Sequence, residues 1–345
     1  MAKAIRLRPS QKEVEVQSGD TVLAALERAG YALPNNCRAG ACGECKTKVA
    51  AGEFDQGMVL SMALSEADRA DGYGLMCMAT PLSDVLEIEF GTADAKPMLF
   101  PPRTDIPFVV VDKITRTPSI IELQIRPVGE PLKYWPGQYV MISRPSKTDS
   151  ARCYSIANAP RPDGEIRLLI TRVDGGLTSN WIHDELAVGE RVLIDGAYGT
   201  FVGDPSVKTP VVCLAAGSGL APILALTDAA LRRGFPYDVT LVFSTRTEAD
   251  ELDTGLFEWW RAKHPNFRAV VTSTGGESAT AGVVGRIPAI LDQLFPSLAA
   301  TSVFVAGSPE FVADCVVGAR ELDAEDELIH TEGFVNQKLT AVADR

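Results

Sequence analysis

Over the first ninety residues apolar positions recur at every second residue in short runs, the period of a half-buried strand. Residues 4–8 and 13–17 read as a strand pair, with further strands at 46–50 and 85–90. Between them Val22, Leu23 and Leu26 fall on one helical face, with Asp20 placed to cap the helix and Gly30 to end it. The pattern predicts a compact α+β unit. From 91 to 106 the periodicity is lost and Pro97, Pro101 and Pro102 mark an extended connector, which puts a first boundary near residue 96. Short strand-like runs at 108–111, 120–125, 139–143, 166–171 and 191–194, separated by Pro and Gly turns with no long helix among them, predict an antiparallel barrel. After Asp204 and Pro205 the rhythm changes. Apolar runs at 211–215, 239–243, 269–272 and 303–306 alternate with helix-length segments, as in a doubly wound parallel sheet. The expected organisation is three domains, 1–96, 97–205 and 206–345.

A chain of 345 residues gives each of these enough length to bury a core. No apolar run approaches the ~20 residues of a membrane-spanning helix, so no membrane partner is expected. The first 17 residues mix Lys and Arg with Val and Ile and lack a secretory pattern, which points to the cytoplasm. A formal net charge of -12 opposes binding to a phosphate backbone and so excludes nucleic acid as an expected partner. Seven Cys, an odd number, favour metal or free-thiol roles over a disulfide framework.

The cysteine spacing narrows this choice. Cys37, Cys42 and Cys45 stand at x4 and x2 separations and Cys77 follows later, the plant-type pattern for a 2Fe-2S cluster. The intervening Arg38-Ala39-Gly40-Ala41 and Gly43-Glu44 are mostly small, which lets backbone N–H groups turn inward toward cluster sulfurs. A zinc site more often shows two close Cys pairs. Cys153, Cys213 and Cys315 lie in apolar contexts and are expected to act as small hydrophobes.

Further along, Arg152-Cys153-Tyr154-Ser155 sets a cation and an aromatic on one strand face, suited to a diphosphate and a flat heterocycle, with a hydroxyl beside them. Gly175-Gly176-Leu177-Thr178-Ser179 leads into a helix-like run at 180–186, whose N-terminus suits a phosphate but equally reads as an ordinary helix start. Gly217-Ser218-Gly219-Leu220-Ala221-Pro222 follows a strand and opens a helix, either a pyrophosphate-binding turn or a plain strand-to-helix turn. None of His183, His264 and His330 joins a catalytic constellation, and solvent-facing positions are expected for them.

The order of these pieces, continued by Gly196-Ala197-Tyr198-Gly199 and Val305-Ala306-Gly307-Ser308-Pro309, resembles the ferredoxin-NAD(P) reductase superfamily with an N-terminal plant-type ferredoxin. It is most similar to reductase components of multicomponent bacterial oxygenases, such as those of toluene, phenol and methane monooxygenases and benzoate dioxygenase. The resemblance implies a β-grasp ferredoxin, a Greek-key β-barrel for FAD and a doubly wound α/β domain for NAD. It implies that Arg152, Tyr154 and Ser155 bind FAD, with Ser155 near the flavin N5, and that Gly175, Gly176, Thr178 and Ser179 hold its diphosphate. Gly217, Gly219, Pro222 and Gly307 then shape the nicotinamide-nucleotide pocket, and Phe334 covers the flavin, so that Ser155 and Phe334 flank the hydride transfer. The sequence departs from the family at Ala306, where a Cys is common, so no thiol is offered beside the nicotinamide.

The implied activity is that of an NADH-oxidising reductase. A flavin, stable in three redox states, bridges the two-electron donor and the one-electron cluster, which passes electrons to an oxygenase component or an intermediary ferredoxin. Two other readings are a reductase serving a non-oxygenase acceptor such as a deoxysugar dehydratase, and a non-catalytic electron carrier. NADH is expected over NADPH, because Ser273-Thr274-Gly275-Gly276-Glu277 offers no cation for a 2'-phosphate and Glu277 repels one; Arg246 is the one nearby residue able to reverse this.

Overall fold

The computed structural model describes residues 3–147, 151–204, 206–275 and 282–334. These pack as two compact units, one from residues 3–104 with 196–200 and the other from residues 105–195 with 201–334. Among the described residues no helix is long and apolar enough to cross a membrane.

The first unit begins with β1 (Lys3–Arg8) and β2 (Lys12–Val16), followed by α1 (Val22–Arg28), β3 (Lys46–Ala51) and β4 (Phe54–Asp55). It continues through α2 (Glu66–Ala70), β5 (Tyr73–Leu75), β6 (Thr80–Pro81) and β7 (Val85–Glu89). The main sheet runs β2-β1-β7-β3-β5, with β1 and β7 parallel and the other pairs antiparallel. Alternation along β1 and β7 sends Ile5, Leu7, Leu86 and Ile88 inward onto Leu23 and Leu26 of α1, and all six are buried. The helix cap differs from expectation. Thr21 caps α1 by accepting from the Ala24 amide at 3.2 Å, whereas Asp20 accepts from Gln17 N and pairs with Arg28. A carboxylate one residue too early closes the preceding turn instead.

The second unit holds two layers. The strands β8 (Arg103–Thr115), β9 (Ile120–Pro127), β10 (Tyr139–Ser143), β11 (Arg152–Ser155), β12 (Ile166–Thr171), then α3 (Leu177–Asp184) and β13 (Arg191–Tyr198) form a sheet of order β11-β10-β13-β8-β9-β12. Its two edges meet through an antiparallel bridge between Ile156 and Leu168, which closes the barrel-like sheet. Phe108, Leu123, Val140, Ile142, Leu168 and Ile194 fill its interior.

The other layer contains β14 (Val211–Ala216), α4 (Leu220–Arg232), β15 (Val239–Thr245), α5 (Thr254–Lys263), β16 (Phe267–Ser273), β17 (Val283–Val284), α6 (Ile287–Leu294), β18 (Ser302–Gly307), α7 (Pro309–Glu321) and β19 (Ile329–Gly333). Its six strands are all parallel, in the order β17-β16-β15-β14-β18-β19. Helices cover both faces, which explains the unbroken apolar run of β14: Cys213 and Ala215 join one core, Val212 and Leu214 the other.

A quartet of charges ties the barrel strands to the start of α5. Glu122, only 1% exposed, accepts two hydrogen bonds of 2.8 Å from Arg167, while Asp253 accepts from Arg116 at 2.7 Å and lies 3.5 Å from Arg167. Burial pushes the Glu122 carboxyl up, but the Arg167 hydrogen bonds and charge, with Gln124 and Arg116, hold it below the ordinary glutamate value of 4.5. A carboxylate lowered in this way stabilises the fold above that value, and the stabilisation is lost as pH falls through the folded pKa. Glu122→Gln is therefore expected to cost about 3–5 kcal/mol at neutral pH, because two guanidinium groups lose a buried partner. Urea titrations at several pH values should show that the variant has a shallower loss of stability below pH 4.5 than the parent.

Candidate functional site

The four predicted cysteines converge in the first unit. Cys37, Cys45 and Cys77 are buried and Cys42 half-buried. Among the described residues no three metal-ligating side chains close on one point. The thiols instead form two pairs, Cys42 donating to Cys37 and Cys45 to Cys77. The Cys42 hydrogen bond, together with the amides of Ala39 and Ala41 at 3.4 Å from the sulfur, pulls the Cys37 thiol well below its ordinary value against the opposing effect of burial. Cys77 is lowered too, first by the Cys45 thiol and then by the Gly40 amide. The loop needs its glycine. Gly40 has φ +67°, and a Cβ there would lie 2.9 Å from the Met58 carbonyl oxygen. Arg38, also at positive φ (54°), is held by an ion pair of 2.5 Å with Glu27 of α1, a buried partner that the spacing pattern did not suggest. Two cysteine pairs with inward-facing amides fit a 2Fe-2S cluster, which these four residues would hold.

The remaining candidates lie in the second unit. Arg152, Tyr154 and Ser155 occupy β11, an edge strand of the barrel. Arg152 and Tyr154 are half-buried, and burial raises the Tyr154 phenol. Ser155 is buried, and its hydroxyl donates to both carboxylate oxygens of Glu332 on β19 at 3.2 Å. Glu332 carries no role in the sequence reading, although it stands two residues before Phe334; only the fold brings it to Ser155. The Phe334 amide donates to the Gly307 carbonyl at 2.7 Å, which anchors the chain end of β19 at the C-terminal end of β18.

α3 starts at Leu177, earlier than the helix-like run at 180–186, so Thr178 and Ser179 sit buried in its first turn. Gly176 caps it without a side-chain hydrogen bond, and Ser179 Oγ accepts from Val173 N at 3.2 Å. At the end of β14, Gly217–Gly219 form a tight turn into α4, with Pro222 in the first turn where no N–H is needed. Thr171 of the barrel donates to Ser218 at 2.9 Å, joining this turn to β12. The three histidines are half-buried, less open than expected: His183 donates to the Ile170 carbonyl at 2.9 Å, His330 stacks on Phe304, and burial lowers both of these.

The two turn glycines make different demands. A Cβ on Gly219 would lie 2.3 Å from the Ala306 carbonyl oxygen, whereas Gly217, at φ +55°, faces open space. Gly219→Ala is expected to cost about 3 kcal/mol by forcing β18 away, and Gly217→Ala about 1 kcal/mol from its left-handed backbone. Thermal unfolding of both variants checks this order; equal losses would contradict the close approach.

Three family models match the chain: a 2Fe-2S iron-sulfur cluster binding domain over residues 5–82, an oxidoreductase FAD-binding domain over 106–202 and an oxidoreductase NAD-binding domain over 213–316. The reductase subunit of an aromatic O-demethylase from Amycolatopsis sp. is 34% identical over 94% of this chain and 96% of its own. The reductase component of phenol 2-monooxygenase from Pseudomonas sp. is 35% identical over 78% of this chain and 76% of its own. The crystal structure of the Amycolatopsis cytochrome P450 reductase GcoB superposes with a TM-score of 0.87 at 31% identity, covering 97% of this chain and 99% of that one. With its paired thiols, FAD-binding barrel and NAD-binding parallel sheet, the chain belongs to the family of iron-sulfur flavoprotein reductases that includes the reductase components of bacterial oxygenase systems.

Proposed function

We propose that this protein oxidises NADH and delivers the electrons singly to the oxygenase component of a cytoplasmic mono- or dioxygenase system acting on aromatic compounds. The observation that carries the reading is the convergence of four cysteines in two pairs on a chain that also carries flavin- and nicotinamide-binding modules. Residues 1–96 serve as the ferredoxin, 97–205 as the FAD module and 206–345 as the NAD module. Bound FAD supplies hydride acceptance and the 2Fe-2S cluster supplies one-electron transfer.

The chain's own residues do the positioning. Cys37, Cys42, Cys45 and Cys77 hold the irons, and the Ala39, Ala41 and Gly40 amides stabilise the thiolates. Because the Ser155 hydroxyl donates to Glu332, its rotor is fixed and the oxygen is held in one position where the flavin would sit. Arg152 and Tyr154 lie beside it on β11 for the phosphate and ring, with Gly175, Gly176, Thr178 and Ser179 at the start of α3 for the rest of the diphosphate. Gly217, Gly219, Pro222 and Gly307 frame the nucleotide end of the sheet, and Phe334 follows β19 there.

Cys42→Ser is expected to abolish the EPR signal of the reduced cluster and electron delivery to cytochrome c while NADH still reduces the flavin; an unchanged signal overturns the ligand assignment. The nucleotide preference follows from charge. The Arg246 carbonyl accepts from Gly275 N at 2.7 Å, so the turn after β16 lies against Arg246, whose side chain is exposed. Gly276 and Glu277 lie outside the described residues. Steady-state kinetics should give a higher kcat/KM for NADH than for NADPH, and Arg246→Ala should leave the NADH value within about twofold, since an uncharged ribose needs no guanidinium.

A further inference from the structure

The first unit contains more than the cysteine-bearing module, because the last residues of β13 and the turn after it, 196–200, belong to it as well. This stretch carries the sequence Gly196-Ala197-Tyr198-Gly199. β13 lies beside β10, which in turn pairs with β11, the strand of Arg152, Tyr154 and Ser155. Tyr198 thus ends a strand separated from the proposed flavin residues only by β10, and its ring meets the cysteine loop.

The contact is made by Arg38, the residue that follows Cys37. Its guanidinium carbon lies 3.9 Å from the centroid of the Tyr198 ring, which is 7% exposed. A cation over an aromatic face is held most strongly where water is excluded. The same guanidinium is pinned by Glu27 at 2.5 Å, so Arg38 cannot swing off the ring without breaking a buried ion pair. Its backbone stands at φ +54°, a conformation that a residue other than glycine keeps only where its surroundings hold it. Glu27 alone already fastens the loop to α1. What the stack adds is packed contact between the neighbour of a cluster ligand and the end of a barrel strand.

We propose that Arg38 is a positioning residue for electron transfer from flavin to cluster: stacked on Tyr198 and pinned by Glu27, it fixes the cysteine loop against the 196–200 turn and so sets the rate at which the cluster receives electrons. It takes no part in hydride transfer or in iron ligation. The proposal rests on the reductase reading above, and it assigns the effect to the Tyr198 ring face and not to the phenol hydroxyl.

The test mixes the full-length holoprotein with NADH in a stopped flow that follows flavin and cluster reduction separately, with iron content and the EPR signal of dithionite-reduced protein measured alongside. Tyr198→Leu should slow cluster reduction about tenfold or more, since displacing a reacting contact by about 1 Å costs up to about a hundredfold. Flavin reduction, iron content and the EPR signal should stay as in the parent. Tyr198→Phe keeps the ring face and should remain within about twofold of the parent. Arg38→Leu should match Tyr198→Leu, and the double variant should be no slower than either, as expected for one shared contact. Urea midpoints of the same four proteins should be non-additive, a readout independent of turnover. Unchanged cluster reduction in Tyr198→Leu, an equal loss in Tyr198→Phe, a matching loss of flavin reduction, or additive effects in the double variant would each overturn the proposal. Should Arg38→Leu assemble no cluster, the two Tyr198 variants still decide it. A parent protein whose cluster NADH does not reduce would instead overturn the reductase reading, and this proposal with it.

Discussion

Ser155 and Glu332 stand 177 residues apart, and the buried hydrogen bond between them is the constraint on which the nucleotide side of this protein depends. It fastens the edge strand of the barrel to the last strand of the parallel sheet, next to the point where Phe334 hydrogen-bonds to Gly307. A buried carboxylate needs a donor, and a buried hydroxyl needs a fixed rotor; each supplies the other's requirement. The Thr171–Ser218 hydrogen bond and the Arg116, Glu122, Arg167 and Asp253 quartet act in the same direction, so the barrel strands and the α/β layer share one set of polar locks.

The cysteine loop obeys a different constraint. Its thiolates are stabilised by backbone amides, which requires the chain to turn inward where a Cβ would collide, and Gly40 meets this need against Met58. Arg38 shows that tolerance for a left-handed backbone is not confined to glycine when a partner holds the residue. Its ion pair with Glu27, itself raised by burial although the Arg38 charge opposes this, secures the loop to α1.

Polar groups in the second unit also illustrate how burial, and not residue type, sets chemistry. His183 and His330 are both lowered by burial, one donating a hydrogen bond to a strand carbonyl and the other stacking on Phe304. Such roles suit a reductase in which the cofactors carry the redox chemistry and the protein supplies position.

Much of this was legible in the sequence where the signal is local. Cysteine spacing reports a loop, alternation at 4–8 reports a strand with one buried face, and the unbroken apolar run of β14 reports a strand covered on both sides. Choices between neighbours were not legible: Thr21 and Asp20 are both good caps, and only the geometry of the preceding turn assigns one to α1 and the other to Gln17. The same holds for the start of α3 and for the partners of His183 and His330. Long-range pairings lay wholly outside sequence reasoning. Glu332 is two residues from a recognised aromatic, and nothing in the sequence singles out Glu27, Glu122 or Asp253. Local periodicity records which side of an element faces inward, but which charge meets which across 177 residues is decided by how the strands are ordered and closed, and that is a property of the tertiary structure alone.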